Sequence, residues 1–446
     1  MLAPRPTQID SILVPVVGDD APVARLLMDL TPLRVSLPYR RMWLGTSASG
    51  VGGALTAVVV GLQVYDLTGS TASVGLVGLA ALGPLVLLGL YGGALVDAHD
   101  RRRVILLTAL GQLACAVALS LQAFAELDDV RVLYALVGLQ SGLLGVNSPA
   151  RMAIVPHLVG TRLLPAANAL SSLSMGVAST AGPLLAGILV AGPGYGATYA
   201  VEAVLLLAAL AGLASLPPMP PQGDVRRPGV RSVLEGLRYL RTRPNVRGTF
   251  VIDLAAMVLA MPRVLFPAIG ATLIGGGATT VGVLTAGIAA GAILGGLLSG
   301  PLGRVRRQGR AVVVAVVGWG LAVAAFGVVV LGTPDHVPGA PAHPTLWLAA
   351  ACMVLAGSAD TVSAIFRSTI LQAATPDGLR GRLQGIFIVV VAGGPRLGDV
   401  VLGGAAEGLG EAWAAIAGGL TCALVVIGFA LLQPRFLAYD AEDPQP

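Results

Sequence analysis

Long apolar runs are the feature that most restricts what this chain can fold into. Only 11% of the 446 residues are charged, against about a quarter in a soluble domain. A helix that crosses a bilayer needs about 20 apolar residues, and its backbone groups must be satisfied within the helix itself. Twelve runs have the necessary length, so we expect an all-α membrane protein with twelve transmembrane helices. They lie near 43–65, 73–96, 104–125, 131–152, 166–191, 196–216, 248–273, 278–302, 311–332, 345–366, 383–405 and 411–432.

The positions of the basic residues predict the orientation of the chain. All 28 are arginines. If the runs end as given above, 25 of them lie on the same side of the membrane as both termini. This assignment places Arg151 and Arg367 in the connections that follow the fourth and tenth runs. Arginines mark the cytoplasmic side of a membrane, so we expect both termini to lie in the cytoplasm. The arginines lie between apolar runs without interleaved aromatic residues, which argues against nucleic-acid binding.

A short basic hairpin occurs twice and indicates an internal duplication. Residues 92–104 read GGALVDAHDRRRV, and residues 295–306 read GGLLSGPLGRVR. The glycine pair recurs, whereas Asp97 aligns with Gly300, so the second copy lacks the carboxylate. Arg151 precedes Asn168 by the same interval as Arg367 precedes Gln384.

These matches predict two pseudo-symmetric six-helix bundles related by a parallel repeat. We expect a cytoplasmic tail with an interfacial helix (1–40), an N-terminal bundle (41–216), a Pro-rich basic linker (217–247), a C-terminal bundle (248–433) and a short cytoplasmic tail (434–446).

Ionisable residues inside the apolar runs are candidates for function, because each costs about 2.5–3.5 kcal/mol on insertion scales. Asp253, Asp360 and Asp399 are candidate proton-coupling residues, and Arg263 and Arg396 are their candidate charge partners. Arg396 and Asp399 are three residues apart on one helix and could simply neutralise each other. Structural ion pairing is the alternative for every one of these residues, and Glu202 is a weaker candidate.

Catalytic and metal-binding patterns are absent from the sequence. The three cysteines lie inside apolar runs without metal-ligand spacing, and no Walker A, GxSxG or HExxH motif is present. We therefore expect no enzyme activity, no metal site and no cofactor.

Three separated motifs resemble the major facilitator superfamily. The hairpin GGALVDAHDRRRV is similar to its loop 2–3 motif, although Ala98 and Asp100 depart from the usual pattern. SPARMAIVPHLV (148–159) and TPDGLRGRLQG (375–385) are similar to the branch that contains the enterobactin exporter and related bacterial multidrug exporters. AGPLLAG (181–187) resembles the helix-5 motif of antiporters, without its upstream glycine at Ala178. The matching positions are Gly93, Asp97, Arg101 and Arg102 in the hairpin and Gly182, Pro183 and Gly187 in helix 5.

The resemblance implies alternating access, in which two bundles rock about a central cavity under the drive of a proton gradient. The residues at the hairpin positions would form a conformational latch; a simple topology signal is the alternative. The expected function is proton-coupled export of a small molecule, either a catechol siderophore or an amphipathic drug. Import of a metabolite and broad multidrug efflux are the alternatives on the same fold. The expected partners are the small molecule, protons and lipid, and we expect a monomer.

Overall fold

The computed structural model describes residues 29–127, 129–160, 163–219, 238–299, 302, 305–334, 341–374, 377–442 and 445; within these ranges, the side chains of 90–98 and most of 377–392 are not described. Twelve long helices follow one another along the chain. They are α1 Leu37–Thr68, α2 Thr71–Ala98, α3 Arg101–Phe124, α4 Val130–Val159, α5 Leu164–Ala191, α6 Gly194–Ala214, α7 Pro244–Leu273, α8 Gly277–Leu297, α9 Gln308–Leu331, α10 Thr345–Ala373, α11 Asp377–Leu409 and α12 Glu411–Leu432. Short helices, Thr31–Val35 and Pro434–Leu437, flank them.

The all-α membrane fold predicted from the sequence is confirmed. Among the described residues, eleven helices, all of these except α11, are long and apolar enough to cross a membrane. The helix α11 has 33 residues, and its role as a twelfth span remains a prediction. The cytoplasmic tail lies mostly in 1–28 and the central linker mostly in 220–237, both outside the described residues, so the proposed domain boundaries also remain predictions. The interfacial helix was expected over 23–41; in its described part, the short helix Thr31–Val35 is followed at once by the start of α1 at Leu37.

Polar caps produce the tight connections between successive helices. Gly69 ends α1 in the left-handed conformation with φ of 62°, and the side chain of Ser70 accepts a hydrogen bond from the N–H of Ser73 at the start of α2. Asp100 caps α3 by accepting the N–H groups of Arg102 and Arg103 at 2.9 and 3.4 Å. These caps satisfy N–H groups that a helix end leaves without a partner.

Two helices are longer than predicted, and this changes the position of two arginines. The prediction ended the fourth and tenth runs near 152 and 366, but α4 continues to Val159 and α10 to Ala373. The assignment of Arg151 and Arg367 to connections was therefore wrong, because both lie within helices. Arg367 is only 2% exposed. Reading each arginine as a membrane boundary failed because these guanidinium groups lie inside the protein.

The helix α7 is broken at two prolines, Pro262 and Pro267. The regular α-helix stops at Leu259, a 3₁₀ turn covers Pro262–Leu265, and a π-helical turn covers Ile269–Leu273. Proline removes a backbone donor and clashes with the preceding turn. The break places Arg263 beside the central cavity described below.

Small residues let the helices approach each other closely within each bundle. In the contact between α2 and α4, a Cβ added at Gly138 would lie 3.0 Å from the carbonyl oxygen of Ala80, and one at Gly145 would lie 2.8 Å from that of Leu85. This is the packing expected of membrane helices, where close backbone contact replaces a hydrophobic driving force.

Candidate transport site

A central cavity of about 900 Å³ lies between the two bundles. Helices α1, α2, α4 and α5 supply most of its lining, and α6, α7, α8 and α11 close its inner part. We call the end of the molecule where α1 begins and α12 finishes the basic end, and the opposite end the far end. The cavity extends from Tyr39 and Trp43 in the first turns of α1 inward to Asp399 of α11. Met152 and Met175 line the cavity and are 60% and 73% exposed, so solvent reaches it.

The far end is closed by contacts between α2 and the α11–α12 corner. The hydroxyl of Ser70 donates to the carboxylate of Glu407, which also accepts the N–H of Ala72 at 3.2 Å. The hydroxyl of Thr71 donates to Glu411 at 2.9 Å. Carboxylates are favoured at the N-terminus of a helix by its dipole. Two acidic side chains of the C-terminal bundle therefore bind the first turn of α2 in the N-terminal bundle.

A second contact, between α5 and α8, closes the far end on the other side. A Cβ added at Gly187 would lie 2.8 Å from the carbonyl oxygen of Ala278, and one at Gly282 would lie 2.7 Å from that of Pro183. Gly182 of the same motif faces α1 instead, where an added Cβ would lie 2.9 Å from the backbone nitrogen of Leu55. The two contacts, which we call the far seal, close the cavity at the far end, whereas its exposed lining residues Met152 and Met175 lie in the halves of α4 and α5 that are nearer the basic end.

Six charged residues form a chain of alternating sign through the C-terminal bundle. Asp253 of α7 pairs with Arg367 of α10, and both side chains are buried, at 0% and 3% exposure. Arg367 also lies 3.4 Å from Asp360, whose side chain is 35% exposed. We call this set of residues the charge chain; its members, in order, are Asp253, Arg367, Asp360, Arg263, Asp399 and Arg396.

The second half of the charge chain reaches the cavity. Arg263 interacts electrostatically with both Asp360 and Asp399, and Asp399 interacts with Arg396 on its own helix. Arg263, Arg396 and Asp399 all line the cavity. All three predicted coupling carboxylates and both predicted charge partners therefore lie in one connected set, and Arg367 is the member that sequence reasoning missed.

The N-terminal bundle contributes one carboxylate and one arginine to the cavity. Glu202 of α6 is 1% exposed and accepts hydrogen bonds from Thr56 of α1 at 2.5 Å and from Gln140 of α4 at 2.8 Å. The sequence analysis rated Glu202 as a weaker candidate, and sequence spacing could not reveal its two partners, because they come from helices distant in the chain. Arg151 of α4 lines the same cavity near Ser49, at 3.5 Å.

The basic hairpins are bound at or after the end of the sixth helix of their own bundle. Arg102 donates to the carbonyl of Ala214 at 2.7 Å at the end of α6, while Arg101 contacts His157 at 2.8 Å. In the second copy, Arg306 binds Asp440 at 2.7 Å and Glu442 at 2.9 Å in the C-terminal tail. The second hairpin has Gly300 where the first has Asp97, and its arginine binds carboxylates of the tail.

The predicted latch is only partly visible. Gly93 and Asp97 lie in the last turns of α2, and their side chains are outside the described set. The contacts of Arg101 and Arg102 given above are with elements of the N-terminal bundle. The function of these four residues as a latch stays a prediction.

Comparison with known proteins agrees with this architecture. Residues 28–446 match the family described as transmembrane secretion effector, of the major facilitator superfamily. The enterobactin exporter EntS of Citrobacter koseri is 31% identical over 411 residues, covering 91% of this chain and 94% of the relative. The same exporter of Shigella boydii serotype 18 is 32% identical over the same shares.

Solved structures of transporters share the fold at low sequence identity. A peptide transporter POT variant in complex with alafosfalin superposes with a TM-score of 0.70 at 13% identity, covering 90% of this chain and 95% of that one. A bacterial homologue of the iron transporter ferroportin in an inward-facing state gives a TM-score of 0.64 at 16% identity, covering 88% and 98%. The chain therefore belongs to the transmembrane secretion effector family of the major facilitator superfamily and is a membrane transporter, not an enzyme.

Proposed function

We propose that this transporter exports a catechol siderophore from the bacterial cytoplasm by proton-coupled alternating access. The observation that carries the proposal is the cavity, which the far seal closes at one end and whose exposed lining, among the described residues, lies toward the basic end. The excess of arginines at the basic end favours its placement in the cytoplasm, with both termini. The open cavity then faces the compartment from which an exporter loads its cargo.

The charges of the cavity support a neutral or anionic cargo rather than a cationic one. Arg151, Arg263 and Arg396 line it, against two carboxylates, Glu202 and Asp399. Glu202 already accepts two hydrogen bonds, and Asp399 lies near two arginines. Guanidinium groups bind the oxygens of ionised catechols and also stack on aromatic rings. The relatives named as enterobactin exporters support the same cargo class.

The charge chain is the proposed route of coupling to protons. Asp399 lines the cavity, where cargo and water would reach it, and the positive charges of Arg263 and Arg396 act on its carboxylate. Protonation of Asp399 would release Arg263 and Arg396 from their partner. In the proposed cycle, the ionised carboxylate of Asp399 accepts a hydrogen bond from a hydroxyl of the cargo, and a proton that arrives from the outer compartment displaces the cargo from this carboxylate. Cargo and proton therefore occupy Asp399 in turn, as an exchange of one for the other requires.

Transport into everted membrane vesicles with an acidic lumen tests this function. We expect accumulation of iron-free enterobactin that collapses with an uncoupler, and no accumulation of a fluorescent cationic drug. Asp399→Asn should abolish the accumulation, whereas Arg131→Gln, an exposed residue at the start of α4, should leave it unchanged. Accumulation of the cationic drug alone would support multidrug efflux instead. Loss of enterobactin from preloaded everted vesicles would support import.

A further inference from the structure

Arg151 is a cationic side chain in the cavity without an acidic partner. Its guanidinium Nη1 lies 3.5 Å from the hydroxyl of Ser49, at the limit of a hydrogen bond, and its Nε has no partner. No ion pair to Arg151 occurs within the part of the chain that the structure describes. The residue lies eight positions before the end of α4, so the last-turn carbonyls of the helix do not explain it.

The equivalent arginine of the other bundle is fully neutralised. The sequence repeat pairs Arg151 with Arg367, and α7 supplies Asp253 to Arg367 whereas α1 supplies only Ser49 to Arg151. The residue seven positions before Arg367 in α10 is Asp360, whereas the residue seven positions before Arg151 in α4 is Leu144, which lines the cavity. One scaffold position thus holds a paired charge in one bundle and an open charge in the other.

An unpaired charge that lines the cavity needs a counter-charge when water leaves the cavity. While the cavity is hydrated, water solvates the guanidinium of Arg151. Closure at the basic end would remove that water, and an unpaired charge in a dry interior is strongly unfavourable. A cargo with an anionic group would supply the missing partner at that step.

We propose that Arg151 is the cargo-binding residue for an anionic oxygen group, either a carboxylate or an ionised catechol. This inference rests on the export function proposed above and adds a requirement for negative charge on the cargo. The planar guanidinium binds two oxygens of one group at once, a geometry that lysine does not reproduce. Ser49 provides a hydroxyl beside the guanidinium for the same group.

Calorimetric binding to the purified full chain in lipid nanodiscs tests the assignment. The probes are 2,3-dihydroxybenzoate, which is anionic at neutral pH, and catechol, which is neutral. Arg151→Gln should weaken binding of the anion by about tenfold or more and change catechol binding less than about twofold, as expected for loss of one charge-assisted contact. Arg151→Lys should fall between Arg151→Gln and the wild type. Arg131→Gln on the same helix should behave as wild type.

A second variant tests the same idea without removing the arginine. Ser49→Asp gives Arg151 the kind of partner that Arg367 already has, and it should weaken anion binding while sparing catechol. If Arg151→Gln, Ser49→Asp and the wild type bind the anion equally, the inference is overturned, whether or not the protein exports enterobactin. If anion binding depends on Arg151 but the wild type accumulates no enterobactin in vesicles, the inference stands and the proposed cargo is wrong.

Discussion

Loss of Asp253 should destabilise the protein more than loss of any other acidic member of the charge chain. The variant Asp253→Asn leaves Arg367 charged at a site where the side chain is 3% exposed. Removing one partner of a buried pair costs about 3–5 kcal/mol, and an arginine at the centre of a membrane helix costs about 2.5–3.5 kcal/mol. Because Arg367 keeps Asp360 at 3.4 Å, we expect a loss near the lower end, about 3 kcal/mol of unfolding free energy.

The expected shift in melting temperature follows from the size of the unit that unfolds. At about 2–4 °C per kcal/mol for a unit of 150–250 residues, the midpoint should fall by about 6–12 °C. The free thiols of Cys115, Cys352 and Cys422 are all buried, so a thiol-reactive fluorescent dye reports unfolding without added labels. Asp360→Asn is the matched control, because its carboxylate is 35% exposed and farther from Arg367. We expect its effect to be less than half as large.

A double variant separates the energetic effect of the unpaired charge from the effect of changing the side-chain shapes. Asp253→Asn with Arg367→Gln removes both charges, so it should be more stable than Asp253→Asn alone. A midpoint for Asp253→Asn within about 2 °C of wild type would refute the reasoning. So would an equal effect of Asp360→Asn, because burial would then not decide the cost of the unpaired charge.

Three further predictions concern the seal and the tail. Gly187→Ala should open the far seal, because the added methyl group would press on a backbone carbonyl. Opening should raise the labelling of a Val74→Cys variant by a membrane-impermeant thiol reagent added on the far side. Gly176→Ala on the same helix should not raise this labelling, because nothing lies within 4 Å of the added Cβ. Glu407→Gln should raise the same labelling several-fold, since charge-assisted hydrogen bonds are roughly twice as strong as neutral ones, and unchanged labelling would exclude its role in the seal. The N–H of Glu442 and the guanidinium of Arg306 lower the pKa of Asp440 from its usual 3.8. The contact between the tail and Arg306 should therefore persist at neutral pH and be lost as the pH falls through that lowered pKa. Asp440→Asn should expose the tail to carboxypeptidase at neutral pH, and equal digestion of variant and wild type would contradict this.

The architecture followed from the sequence because each run carries its own signal. Length and hydropathy within one stretch of chain are sufficient to predict a membrane helix, and eleven such helices are present among the described residues. The prolines at 262 and 267 likewise act locally, and the break in α7 occurs beside them.

The pairing of the charged residues could not be predicted in the same way. The partner of Arg367 lies on α7, and the partners of Glu202 lie on α1 and α4. Sequence spacing along one helix reveals only neighbours three or four residues apart, as for Arg396 and Asp399. The far seal is similar, since Ser70 and Glu407 meet only after both bundles have formed and packed together.

The asymmetry between the bundles is the physical basis of the proposed mechanism. The C-terminal bundle balances three arginines with three aspartates in the charge chain, whereas Arg151 in the N-terminal bundle has a hydroxyl neighbour in place of an acid. In the proposed mechanism, this difference places proton binding in the C-terminal bundle and binding of the anionic group of the cargo in the N-terminal bundle.

The measurement that tests the central claim most directly is cargo-driven proton movement in proteoliposomes. A gradient of iron-free enterobactin is imposed without a pH gradient, and a lumenal dye reports the pH. The account predicts proton flux opposite to the cargo flux, and its loss in Asp399→Asn. Enterobactin flux with no accompanying proton flux would contradict the account, because the charge chain would then have no part in energising transport.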